Sequence, residues 1–113
     1  MALAAIAALA PAVRAIGSDR EARSAKAKQV SIRDDRFSPK NVNVSVGGTV
    51  TWTWEGANDH NVTFRKVPNG ASKRRARTRS SGHFTRSFSK RGTYRYVCTI
   101  HEDLGMRGTV VAG

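Results

Sequence analysis

From Gln29 to Val111 the apolar side chains come in short runs at every second position, the period of a strand with one face buried and the other in water. Val30 and Ile32 alternate with polar neighbours, as do Val42, Val44 and Val46, and then Val50, Trp52 and Trp54 after the Gly47-Gly48 turn. Val62 and Phe64 form a short fourth run. After a long polar interval come Phe84 and Phe88, then Tyr94, Tyr96 and Cys98, and finally Met106 to Val111. No stretch of this region carries a helical apolar stripe. The pattern predicts an all-β domain, an antiparallel Greek-key sandwich or barrel of about seven to eight strands. Trp52 and Trp54 share one face of their strand, which places at least one of them in the core.

The chain has 113 residues, enough for one domain and too few for two. Its first fifteen residues, Met1 to Ala15, are an apolar run followed by small residues at cleavage spacing, Val13 and Ala15. The run resembles a short secretory signal, although no Lys or Arg precedes it, and it is too short to span a bilayer. An exported protein (periplasmic, extracellular or cell-surface) is the expectation. Ile16 to Ala27 turns polar and charged without strand alternation, so residues 1–27 read as a signal plus linker and 28–113 as the folded domain. The formal net charge is +12, and the first 27 residues hold only four of the 20 basic and two of the eight acidic residues. The excess of positive charge therefore belongs to the domain.

Seven of those cations (Arg65, Lys66, Lys73, Arg74, Arg75, Arg77 and Arg79) fall between Arg65 and Ser81 with no acidic residue among them. The interval reads either as a solvated loop or as an electrostatic docking surface for an acidic protein partner or an anionic membrane face. Specific nucleic-acid binding is not expected, because no aromatic residues interleave the cations to stack on bases.

A single cysteine rules out an intramolecular disulfide and leaves a thiol that is inert, reactive or a metal ligand. Its neighbours favour the last: Cys98 is followed by His101 and Met106, a thiolate, an imidazole and a thioether within nine residues. Such soft and borderline donors select copper over magnesium, calcium or manganese. His60, opening a strand after the turn Glu55 to Asp59, is the candidate fourth ligand. Two histidine nitrogens and the cysteine sulfur form a trigonal plane, with Met106 as a weaker axial contact. His83 lies near the Ser80-Ser81-Gly82 turn and reads as a solvent-facing strand residue, and Asp59 as a turn residue.

The segments Phe37-Ser38-Pro39, Gly47 to Trp52, His60-Asn61-Val62, Gly92 to Cys98 and the C-terminal Cys98-x2-His101-x4-Met106-x-Gly108-x-Val110 together resemble the cupredoxins, in particular plastocyanin-like small blue copper proteins. The resemblance covers about Gln29 to Val111. It implies one type 1 copper ion held by His60, Cys98, His101 and Met106, with Asn61 bracing the Cys98 loop. It also implies one-electron transfer between redox donor and acceptor proteins, with His101 as the doorway among Leu104, Gly105 and Ala57. Three departures stand out: Val97 occupies the position of an aromatic residue before the cysteine, the surface is basic where photosynthetic plastocyanins are acidic, and the residue before His101 also differs. Ile100 replaces a common proline.

Copper storage or delivery in the periplasm or extracellular space is the alternative that the same ligands serve. An oxidase or reductase generally needs a further metal centre, and His83 alone is left to build one, so a non-enzymatic, monomeric carrier is expected. A metal-free adhesion sandwich would leave the ligand spacing as coincidence.

Overall fold

The structure is a computed structural model that describes residues 26–113. Nine strands make up the domain: β1 (Ala27–Arg33), β2 (Arg36–Ser38), β3 (Asn41–Val44), β4 (Thr49–Trp54), β5 (His60–Lys66), β6 (Ala76–Arg79), β7 (His83–Ser87), β8 (Gly92–Val97) and β9 (Arg107–Ala112). One 3-10 turn, Glu102–Leu104, lies between β8 and β9. The strands form two sheets, ordered β2-β1-β4-β7 and β3-β9-β8-β5-β6. Their inner faces meet in a core whose members are the alternating residues of each strand.

The sandwich agrees with the periodicity, but the strand directions do not all run as expected. β1 pairs with β4 in parallel (Val30↔Trp52, Ile32↔Trp54), and β3 pairs with β9 in parallel (Val42↔Val110). Both sheets are therefore mixed. A period of two sets which face a side chain takes and leaves the direction of the neighbouring strand open. The strand count exceeds the expected seven to eight because two short strands add to it. β2 buries Phe37 alone, and β6 lies inside the basic interval, where Ala76 is its one buried residue. Val46 stands outside β3 and is exposed, and β1 begins at Ala27 inside the stretch read as linker. The rest of the expected signal and linker, residues 1–25, lies outside the described residues.

Trp52 sits at the centre of the core, fully buried, with the Tyr96 ring edge-on at 5.3 Å and Phe64 edge-on at 6.1 Å. Truncating an aromatic so enclosed costs about 3–5 kcal/mol. Trp54 is buried too, and its indole N–H donates to the His60 carbonyl at 2.9 Å, joining the end of β4 to the start of β5. Gly108 on β9 has no room for a side chain, since a Cβ there would overlap the Tyr96 ring and hydroxyl. His83 lies on β7 and faces solvent. No helix among the described residues is long and apolar enough to cross a membrane.

Candidate metal centre

β4, β5 and β8 all have an end at one pole of the sandwich, and this places the donor side chains. His60 is the first residue of β5 and is fully buried. Cys98 directly follows β8 and is also fully buried. The chain then turns tightly: the His101 amide donates to the Cys98 carbonyl at 3.2 Å, and the Leu104 amide to the His101 carbonyl at 3.0 Å. Gly105 closes the 3-10 turn in the left-handed region at φ 85°, its amide donating to Glu102 at 2.9 Å. Met106 is buried at the end of the loop, where its amide bonds the His101 carbonyl and its carbonyl accepts from the Cys98 amide at 3.1 Å. The nine residues from Cys98 to Met106 thus form a loop closed by its own backbone.

The three donor atoms converge. Cys98 Sγ lies 3.8 Å from His60 Nδ1 and 3.6 Å from His101 Nδ1, and the ligand atoms of all three residues fall within 4.8 Å of one another. A first-row metal bonded to thiolate at about 2.3 Å and imidazole at about 2.0 Å, with about 120° between the bonds, separates sulfur from nitrogen by about 3.7 Å. The observed spacings fit that value with little movement. The donor chemistry fits copper, as two imidazoles and a thiolate suit it better than they suit a hard cation.

Both rings turn Nδ1 toward the sulfur and Nε2 toward an acidic turn between β1 and β2. Asp34 Oδ1 lies 3.1 Å from His60 Nε2, and the same carboxylate accepts the Asn58 amide at 2.9 Å and the Ala57 amide at 3.1 Å. These bonds, led by the Asn58 amide and then His60, hold the Asp34 carboxyl at about 2, below the usual carboxylate value. A ring that donates its Nε2–H to a carboxylate keeps the Nδ1 lone pair free for a metal. Asp35, at φ 66°, brings its carboxylate within 3.6 Å of His101 Nε2. Sequence reasoning missed Asp34. The available signal was an Asp-Asp turn, but it lies 26 residues from His60 and reads as an ordinary solvated corner. Asp59, the acid next to His60, is exposed in its turn.

Asn61 ties the two halves of the site together. Its carbonyl accepts the Thr99 amide at 3.1 Å and the Thr63 hydroxyl at 2.8 Å, and its amide donates to the hydroxyls of Thr99 at 2.8 Å and Thr78 at 3.1 Å. One side chain therefore links β5, β6 and the loop that begins at Cys98. Glu102 secures the far side of that loop, with Arg65 at 2.7 Å and Arg107 at 3.6 Å. The bond from Arg65 holds the Glu102 carboxyl below its usual range. The His101 side chain is 18% exposed, beside the open side chains of Ile100 and Leu104.

Residues 25–113 match the family described as copper binding proteins of the plastocyanin/azurin family. The chain is 32% identical to a plastocyanin of Scenedesmus fuscus over 66% of its own length and 83% of that protein. It is 37% identical to amicyanin-alpha of Methylorubrum extorquens over 74% of its length and 69% of that protein. A mutant fern plastocyanin, solved in oxidised and reduced forms, superposes with a TM-score of 0.64 at 27% identity, covering 75% of this chain and 99% of that one. A buried cysteine sulfur flanked by two inward-facing imidazoles, a mixed two-sheet sandwich and these matches agree: the chain belongs to the plastocyanin/azurin family of copper-binding proteins.

Proposed function

We propose that the protein is a one-electron carrier whose copper ligands are His60, Cys98, His101 and Met106. The carrying observation is the convergence of Cys98 Sγ with two imidazole Nδ1 atoms at 3.6 and 3.8 Å, in a pocket where His60 and Cys98 are fully buried. When bound, copper supplies the one-electron couple. The chain supplies the rest: Asp34 orients His60, Asn61 holds the loop behind Cys98, and buried Met106 offers a weak thioether contact. The edge of His101, with Ile100 and Leu104 beside it, is the point where a redox partner comes nearest the metal. The fern plastocyanin solved both oxidised and reduced supports such cycling. No substrate bond is made or broken, and the remaining histidine, His83, lies exposed on β7 outside the His60–Cys98–His101 group. The apolar N-terminal run supports export, and the basic surface supports partners with acidic docking faces.

Adding Cu(II) to the folded, metal-free protein will produce intense visible sulfur-to-copper absorption, and Cys98→Ser will abolish it. A folded sample that stays colourless refutes the assignment. Retention of copper against a moderate chelator with reversible reduction at an electrode is expected of a carrier; rapid surrender of the metal to the chelator points instead to copper delivery.

A further inference from the structure

The arginine-rich interval that dominates the charge of the sequence is partly committed to holding the fold. The Arg74 guanidinium lies over Phe84 at 5.2 Å, and Arg79 over Trp54 at 4.7 Å. Arg86 on β7 is buried against the rings of Phe64, Phe88 and Tyr94, donating to the Ser72 and Arg74 carbonyls. A second cluster of cations, which shares only Arg65 and Lys66 with that interval, is not spent on aromatic rings. On β5, β8 and β9 and the segment before β3, the side chains of Lys40, Arg65, Lys66, Arg95 and Arg107 ring a groove of about 250 Å³. Its floor includes Val97 and Gly108. Among the described residues these five cations have one carboxylate partner, Glu102, which pairs with Arg65 and Arg107. Lys40, Lys66 and Arg95 have no acidic partner among the described residues.

The groove also lies on a short covalent path to the metal site. Val97 is peptide-bonded to Cys98 and pairs with Thr63 on one side and Arg107 on the other. Glu102, which pairs with Arg65 and Arg107 of the groove, belongs to the ligand loop itself.

We propose that this groove, and not the arginine-rich loop, is where an acidic redox-protein partner docks; the proposal rests on the electron-carrier reading above. Unpaired cations around a concavity attract a complementary set of carboxylates and speed encounter at low salt. A flat lipid face would touch only the rim of a concave site. A nucleic acid would find no stacking surface, since the one aromatic ring at the groove, Tyr96, is buried in the core.

The test compares two variants of equal net charge in the copper-loaded full chain. One reverses the groove (Lys40→Glu, Lys66→Glu, Arg95→Glu); the other reverses the loop (Lys73→Glu, Arg75→Glu, Arg77→Glu). Each reduced protein is oxidised by hexacyanoferrate(III), which takes up the one electron the copper gives and becomes hexacyanoferrate(II), with no proton transferred. At low ionic strength the groove variant should react about tenfold more slowly than the native chain and the loop variant about twofold, the three rates converging as salt shortens the Debye length to about 3 Å near 1 M. Equal slowing of both variants, or slowing of neither, overturns the proposal. In a second arm the metal-free full chain is titrated with an octaglutamate peptide and, separately, with phosphatidylglycerol vesicles. Peptide-induced amide shifts confined to residues 65–66, 95–97 and 107–109 are expected. Shifts centred on 73–79, or binding to vesicles without binding to the peptide, overturn it. This arm needs no copper, so a failed copper titration and a failed groove are told apart.

Discussion

Replacing Asn61 by alanine removes four hydrogen bonds with one side chain, two to Thr99 and one each to Thr63 and Thr78. A hydrogen bond contributes about 0.5–1.5 kcal/mol net, and a buried donor left without a partner costs about 1–3 kcal/mol. Asn61 itself is 5% exposed, but Thr99 and Thr78 are at the surface and Thr63 is half-buried. Their hydroxyls regain water once the amide is gone, which puts the loss at the lower end, about 2–3 kcal/mol in total. For a domain of this size that corresponds to about 10–20 °C in Tm. Urea unfolding of the metal-free variant, followed by tryptophan fluorescence, measures it free of any contribution from the metal. Thr78→Val should lose well under half as much, because it breaks one of the four bonds. If Asn61→Ala lies within about 0.5 kcal/mol of the native protein, or matches Thr78→Val, the bracing role of Asn61 is wrong.

Asp34→Asn tests the other support of the site. The folded protein depresses the Asp34 carboxyl from 3.8 to about 2, so its contribution to stability is present above pH ~4 and is lost as the pH falls toward 2. The metal-free asparagine variant should show a flatter acid-stability profile over that window, read by chemical denaturation at a series of pH values; a profile as steep as the native one would refute the linkage. Gly108→Ala pushes a methyl group into the Tyr96 ring and should destabilise the domain by about 1–3 kcal/mol, which thermal unfolding will show as a lower Tm.

Much of this architecture can be read from the chain. Alternation at Val30/Ile32, Val50/Trp52/Trp54 and Tyr94/Tyr96 identifies the faces that meet in the core, because each inward residue must be apolar to leave water. The spacing from Cys98 to His101 likewise shows in the sequence, since one tight turn brings both donors together. What escapes sequence reasoning has two physical causes. First, the parallel neighbours of β1 and β9 are chosen by the whole fold, and no local pattern encodes them. Second, polar residues act through partners far along the chain. Asp34 looks like a corner residue until the fold carries it to His60, and Arg79 looks solvated until β6 lays its guanidinium over Trp54. The basic interval hides a strand because its arginines spend apolar stems and flat cationic faces on aromatic rings.

The two histidines of the site are held unequally, and this bears on how the metal enters. His60 is gripped at both ends, its carbonyl by Trp54 and its ring by Asp34, and neither it nor Cys98 meets solvent. His101 sits on a short turn with part of its ring at the surface. An arriving ion therefore meets the part-exposed His101 before the buried sulfur. Glu102→Gln, which loosens the ion pairs that hold the His101 loop to Arg65 and Arg107, is expected to speed copper loading in a stopped-flow absorbance trace while leaving buried His60 in place; an unchanged rate would count against a role for these pairs in uptake.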